Sequence, residues 1–165
     1  MDIQRLNALL HEIQIAMLTT IEPDGRLRSR PMAAVDTGEP FNDDLWFFTS
    51  QASPKTEEIQ EDPRVNVCFS EPKRQHYVSL SGTCELVRDP ELARRYWKPL
   101  FRAWFPQGVD DPDLALLRVR VEQAEYWDTP SSKVVQIAGL VKALATGERV
   151  HPGKHEREKF GQTGS

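Results

Sequence analysis

The chain has 165 residues, 39% of them apolar, and a formal net charge of −4. That length and apolar share suit a single domain burying a core without metal or disulfide support. The mild acidity excludes a general binder of nucleic acid or anionic membrane. No apolar run approaches the roughly 20 residues of a membrane span. Met1-Asp2-Ile3-Gln4-Arg5 lacks the basic start and apolar stretch of a secretory signal, so the expected compartment is the cytoplasm.

Asp2 is placed to cap a first amphipathic helix, with Ile3, Leu6, Leu9 or Leu10, and Ile13 at helical spacing. Ile15 to Ile21 reads as a strand. Pro23-Asp24-Gly25 is a turn, and the chain returns as Leu27 to Asp36, making a hairpin. A loop from Gly38 to Asp44 leads into Leu45 to Thr49, a nearly all-apolar strand whose pattern predicts burial on both faces. Ser53 caps the next helix, with Pro54 at its first position and an end near Asp62-Pro63. Strands follow at Arg64 to Ser70 and Gln75 to Val87. Gly82 inside the second marks a bulge or a close backbone approach. A helix is predicted from Asp89 to about Trp104, a long alternating strand from Leu114 to Trp127, and a helix from Lys133 to Ala145 closed by Gly147. Residues 148–165 are polar and read as a mobile tail. Six strands joined mostly in succession imply an α+β fold with an antiparallel sheet, curled into a barrel to remove its edges.

Cys68 and Cys84 lie in strand-like runs and read as buried thiols. The four histidines have no metal-ligand spacing, so no metal is expected. Neither a P-loop nor a Gly-x-Gly-x-x-Gly pattern is present.

Three stretches carry chemistry. In Phe48-Thr49-Ser50-Gln51-Ala52-Ser53-Pro54-Lys55 an aromatic strand ends in hydroxyls, a helix start and a lysine. Unpaired N–H groups and the helix dipole make such a start a phosphate cradle, though Ser-Pro-Lys also begins helices for backbone reasons alone. In Arg28-Ser29-Arg30-Pro31-Met32 two arginines point to one strand face. Same-face arginines need an acidic partner, an anionic ligand or open solvent, and arginine grips phosphate with paired hydrogen bonds. Trp127, in Glu125-Tyr126-Trp127, either packs on a ring system or belongs to the core. Trp97, Phe101 and Trp104 recur on one helical face, as core or as a subunit interface.

The order Arg30-Pro31-Met32, Phe48-Thr49-Ser50, Ser53-Pro54-Lys55, a strand closing on Gly82, then Glu125-Tyr126-Trp127 resembles the pyridoxamine 5′-phosphate oxidase-related flavoproteins, and most closely their general stress protein 26 branch. The resemblance spans roughly residues 13–147. It implies an antiparallel six-stranded FMN-binding split β-barrel with flanking helices, in one domain over residues 1–147. It also implies a homodimer with FMN in a groove between the subunits. Carried over by position, Arg30, Ser53 and Lys55 hold the FMN phosphate. Pro31, Met32, Phe48 and Thr49 run beside the isoalloxazine, and Trp127 reaches the flavin from the second subunit. Arg28 and Ser50 are neighbours of that site, and another flavin contact falls near Tyr77 to Ser79. The oxidase proper has a lysine where Val35 stands. It also has an Arg-Leu-His-Asp-Arg segment where this chain reads Asp128-Thr129-Pro130-Ser131-Ser132-Lys133. Those groups grip pyridoxamine phosphate, so the resemblance implies the cofactor and leaves the substrate open. No side chain stands out as a general acid or base. The readings that follow are an FMN-dependent oxidoreductase acting on a small molecule, a non-catalytic flavin sensor or reservoir, or the same fold holding a deazaflavin or haem.

Overall fold

The computed structural model describes residues 2–128 and 154–160. Asp2 caps helix α1, Ile3–Glu12, by accepting the Arg5 N–H at 3.0 Å, and α1 turns Leu6 and Leu9 fully inward. Strands β1 (Ile15–Ile21) and β2 (Leu27–Ala33) form the expected hairpin; Gly25 supplies the positive φ that its turn requires. β1 alternates, with Ala16, Leu18 and Thr20 inside.

The remaining elements are β3 (Asp44–Ser50), α2 (Pro54–Glu61), β4 (Arg64–Glu71), β5 (His76–Val87), α3 (Pro90–Tyr96), a 3₁₀ segment Pro99–Ala103, β6 (Leu114–Asp128) and β7 (Lys154–Lys159). All strand pairings are antiparallel, in the order β2-β1-β4-β5-β6-β3, with β7 on β6 beyond the end of β3. The long β6 makes this possible: residues 114–120 pair with β3 and 123–128 with β7. The end of β2 then meets β3 through a bridge between Ala34 and Phe47, and the Val35 N–H donates to Trp46 O at 2.8 Å. The sheet thus curls until its outer strands touch at one end.

The core lies inside that curl, with Leu18, Phe47, Phe69, Leu80 and Tyr126 essentially inaccessible; burying each such apolar side chain is worth about 1.5–3 kcal/mol. A second apolar cluster forms behind β3, where Phe48 and Leu116 meet Ala93 and Phe101. β3 is therefore buried on both faces, as its composition predicts. Gly82 marks a bulge as expected: the β5–β6 register shifts between Ser81 and Gly82.

Four expectations are corrected. The sheet has seven strands among the described residues, because Lys154–Lys159, within the stretch expected to be a mobile tail, pairs with β6. The helix predicted from Asp89 to Trp104 stops at Tyr96. Pro99 forces Lys98 into extended backbone, and the chain resumes as the 3₁₀ segment. Cys68 is exposed, since it alternates with the inward Val67 and Phe69, whereas Cys84 is buried and desolvation pushes its thiol up to about 12. Finally, β2 ends at Ala33 rather than Asp36. The helix predicted from Lys133 to Ala145 lies outside the described residues. Among the described residues no helix is long and apolar enough to cross a membrane, and no group of three His, Cys, Asp or Glu is placed to hold a metal ion.

Candidate functional site

The hairpin, β3 and α2 converge on one cavity of about 250 Å³. One wall is Pro31, Met32 and Ala33 of β2, and the next is Phe48, Thr49 and Ser50 of β3. Lys55, in the first turn of α2, stands at one end. Phe101, Trp104 and Phe105 close the far side. The Phe48 ring packs edge-on against Phe101, Trp97 and Phe105, with centroids 4.7, 5.4 and 6.3 Å away, so the aromatic wall is braced. Trp104 remains 54% exposed at its rim.

Lys55 makes no ion pair or hydrogen bond among the described residues. Burial, and then the Arg30 charge, hold its ammonium below the ordinary lysine value, while Glu58 pulls the other way. A half-buried cation without a partner is poised for an anion.

Arg30 faces inward beside it. Its register partner is Leu18, and its guanidinium donates to Thr20 Oγ1 at 2.6 Å and Glu58 Oε2 at 2.7 Å. Glu58 is 4% exposed and accepts from Thr20 Oγ1 at 2.5 Å. Arg28 shares that face but stays largely in solvent, 3.9 Å from Glu58 and 3.5 Å from Glu22. The solvent reading of the arginine pair thus suits Arg28, and the acidic-partner reading suits Arg30.

The loop from Ser50 to Ser53 is held from outside. The Ser50 hydroxyl donates to Asp113, and Asp113 also accepts the Ala52 N–H at 3.1 Å. Ser53 occupies the cap position of α2 without a side-chain capping bond. Its hydroxyl lies 3.1 Å from Thr56 Oγ1 and 3.4 Å from Thr49 Oγ1 instead. The helix start offers fewer backbone donors than its sequence suggests: Pro54 has none, and the Thr56 N–H is taken by Ser53 O at 3.0 Å. The positive charge at this end of the cavity is therefore mainly that of the Lys55 and Arg30 side chains.

Within one chain Trp127 is not brought to this cavity. It pairs with Tyr77 in β5 and stacks on His155 of β7, rings 5° from parallel, while remaining 37% exposed. It shares the outer sheet face with Ile15, Met17 and Tyr77, all at least 38% exposed. Sequence reasoning missed Glu58, Thr20 and Asp113 as parts of the site, and it offered the aromatic cluster of Phe101, Trp104 and Phe105 only as core or subunit interface. A signal existed for Glu58 only: two same-face arginines demand an acid, without saying which.

The fold and the site are thus a curled antiparallel sheet with an aromatic cavity that is cationic at one end. The chain belongs to the pyridoxamine 5′-phosphate oxidase-like family, whose model matches residues 1–151. It is similar to protein bli-3 of Neurospora crassa, 30% identical over 155 residues, which cover 88% of this chain and 74% of that protein. Among solved structures it is similar to the general stress FMN/FAD binding protein of Xanthomonas citri, with TM-score 0.67 and 30% identity, covering 79% of this chain and 90% of that one. It also shares its fold with a protein from Clostridium acetobutylicum related to general stress protein 26, with TM-score 0.71 and 18% identity, covering 96% and 94%.

Proposed function

We propose that this chain is an FMN-binding flavoprotein of the split-barrel type and acts as an oxidoreductase on a small molecule. The observation that carries this reading is the cavity itself: one aromatic slot with a desolvated lysine at its end that has no partner among the described residues. The name of the Xanthomonas citri relative supports it. Arg30 and Lys55 hold the phosphate, with the Ser53 hydroxyl beside them. Met32 and Phe48 flank the ring, and Phe101, Trp104 and Phe105 exclude water from its far side. Bound flavin supplies the electron-transfer chemistry. The active form is a homodimer, in which a second copy covers the exposed Ile15, Met17 and Tyr77 and Trp127 of each copy reaches the flavin of the other. Its setting is the cytoplasm.

A second reading is a flavin reservoir or sensor that does not turn over. It is favoured by the cavity lining, where Lys55 is the one titratable side chain among the described residues. The deciding experiment has two stages. Titration of the purified protein with FMN, followed by absorbance and light scattering, is expected to give one FMN per chain on a dimer. Failure to take up FMN ends the proposal. Uptake without oxidation of any nicotinamide donor or reduction of any small acceptor selects the reservoir.

Lys55 offers a sharper test. Lys55→Met is expected to weaken FMN by about 1.5–3 kcal/mol, roughly 10- to 150-fold, and to leave riboflavin affinity unchanged. The apo variant is expected to be at least as stable as the parent, because a desolvated cation has been removed. The sign of the pH effect follows from the same burial. With its folded value below the unfolded one, charged Lys55 costs stability at neutral pH, and that cost fades as pH rises through the folded value. Only the ammonium pairs with phosphate, so FMN affinity should fall over that alkaline window while riboflavin affinity stays flat. Isothermal titration across the range decides it; an equal fall for both ligands removes Lys55 from the phosphate site.

A further inference from the structure

The Arg30–Glu58–Thr20 group lies beside the cavity, outside its lining. Glu58 is a carboxylate on a short helix, one turn after Lys55, turned inward with Thr56 and Ile59. Taking such a group out of water is costly unless it is paired and hydrogen-bonded. Here it is both: Thr20 donates to Oε2, and Arg30 Nη2 reaches the same oxygen at 2.7 Å. The hydroxyl of Thr20 in turn accepts from Arg30 Nη1 at 2.6 Å. The three groups form a closed triangle. Guanidinium has five N–H donors in a rigid plane. Two of its nitrogens are fixed by this triangle, so the plane and the direction of its remaining donors are set before any ligand arrives.

The charge balance points the same way. Three cations, Arg28, Arg30 and Lys55, stand around the buried Glu58 carboxylate, and Glu22 pairs with Arg28 from the solvent side at 3.5 Å. The surplus remains positive, so Glu58 leaves the site receptive to an anion. Without Glu58 the Arg30 side chain, 17% exposed, would sit beside Lys55 with only the neutral Thr20 hydroxyl to hold it against mutual repulsion.

Resting on the FMN-phosphate reading above, we propose that Glu58 is a positioning residue: with Thr20 it clamps the Arg30 guanidinium in the one orientation that serves the ligand's phosphate. Ordering is thereby completed in the apo protein instead of being charged to binding, which is the general advantage of a preorganised site. The clamp acts on the phosphate end and not on the ring, so it separates two ligands that differ only in that group. FMN feels it and riboflavin does not.

The test measures FMN and riboflavin affinities in parallel. Glu58→Gln keeps the side-chain volume and one acceptor but removes the charge that holds Arg30. It is expected to weaken FMN about tenfold and leave riboflavin unchanged. Thr20→Val, which removes the third corner at constant volume, is expected to weaken FMN by a few fold with the same selectivity, and it carries the test alone if Glu58→Gln does not fold. In an Arg30→Ala background Glu58→Gln should have no further effect on FMN, since the clamp would have nothing to hold. Three results overturn the inference: an unchanged FMN-to-riboflavin ratio in both single variants, a ratio that rises (making Glu58 a competitor of phosphate), or a Glu58→Gln effect that persists without Arg30. The wild type separates this from the underlying reading. If it binds riboflavin as tightly as FMN, the phosphate site itself is lost; if it prefers FMN and the variants keep that preference, only the clamp is lost.

Discussion

Arg30→Ala is expected to destabilise the protein by about 3–5 kcal/mol and to weaken FMN by about 1.5–3 kcal/mol. The two losses have one origin. Arg30 is the cation that makes the buried Glu58 tolerable, through a 2.7 Å contact in a place with almost no solvent access. Removing it leaves a carboxylate whose neighbours are the Thr20 hydroxyl, the largely exposed Arg28 at 3.9 Å and the charge of Lys55, none of which replaces the direct Arg30 contact. Breaking a buried pair from one side is costly because the surviving charge stays behind. Neutralising it should therefore help: the double variant Arg30→Ala/Glu58→Gln is expected to recover most of the lost stability and none of the lost FMN affinity. Denaturant unfolding of the four proteins, with FMN and riboflavin titrations on each, reads both effects. A single variant as stable as wild type means that Arg28 or water compensates Glu58 fully, and the ion pair is then a surface pair in its energetics. A double variant no more stable than the single one means that the cost came from lost packing of the long Arg30 stem.

Much of this arrangement could be read in the chain before folding. A run without polar breaks identified β3 as buried on both sides, with Phe47 and Phe48 in separate clusters, whereas the apolar residues of β1 fall on both faces and only the fold shows that Ala16, Leu18 and Thr20 point inward. Alternation contained the answer for Cys68: its neighbours Val67 and Phe69 point inward, so it must point out. The break in the helix after Tyr96 was legible too, because Pro99 constrains the residue before it, yet the helical spacing of Trp97, Phe101 and Trp104 argued for continuity. Those three still gather near Phe48, by a bend instead of by one helix face. Two features had no local signature. Lys154–Lys159 is polar throughout and joins the sheet through backbone pairing with β6, a choice that polarity patterns do not record. Glu58 reads as an ordinary helix-surface glutamate, and only the fold, bringing α2 over the β1–β2 hairpin, shows that it is Arg30's partner. At the start of α2 the backbone offers fewer free donors than the sequence implied, while Lys55 stands at the end of the cavity.

Gly82→Ala is the other change with a large expected effect, and it acts through the backbone. A Cβ at this position would lie 2.0 Å from Arg120 O, 2.9 Å from the carbonyl carbon and 3.1 Å from Val121 Cα. None of these is a flexible side-chain end that can swing away. Arg120 is paired with Asp44 of β3, and the Val121 N–H donates to Asp43 O at 2.7 Å, so β6 is held on the side opposite the intruding methyl. Relief requires β5 and β6 to separate at the bulge or β6 to carry β3 with it. Either way hydrogen bonds in the middle of the sheet lengthen, at an expected cost of about 3 kcal/mol or more. For a chain of this size that corresponds to a fall of roughly 6–12 °C in melting temperature. Gly38→Ala is the control: its φ of 75° is strained for alanine but nothing lies within 4 Å of the added carbon, so about 1 kcal/mol is expected. Because Phe48 and Thr49 ride on β3 opposite Leu116 and Ala115, a displaced β6 would also loosen the aromatic slot. FMN and riboflavin should then weaken together in Gly82→Ala, in contrast to the phosphate-only losses expected at Lys55 and Glu58. A melting temperature within about 3 °C of the parent would show that the bulge can open at little cost, and that the close approach of Gly82 to Arg120 is not what fixes the register of the sheet.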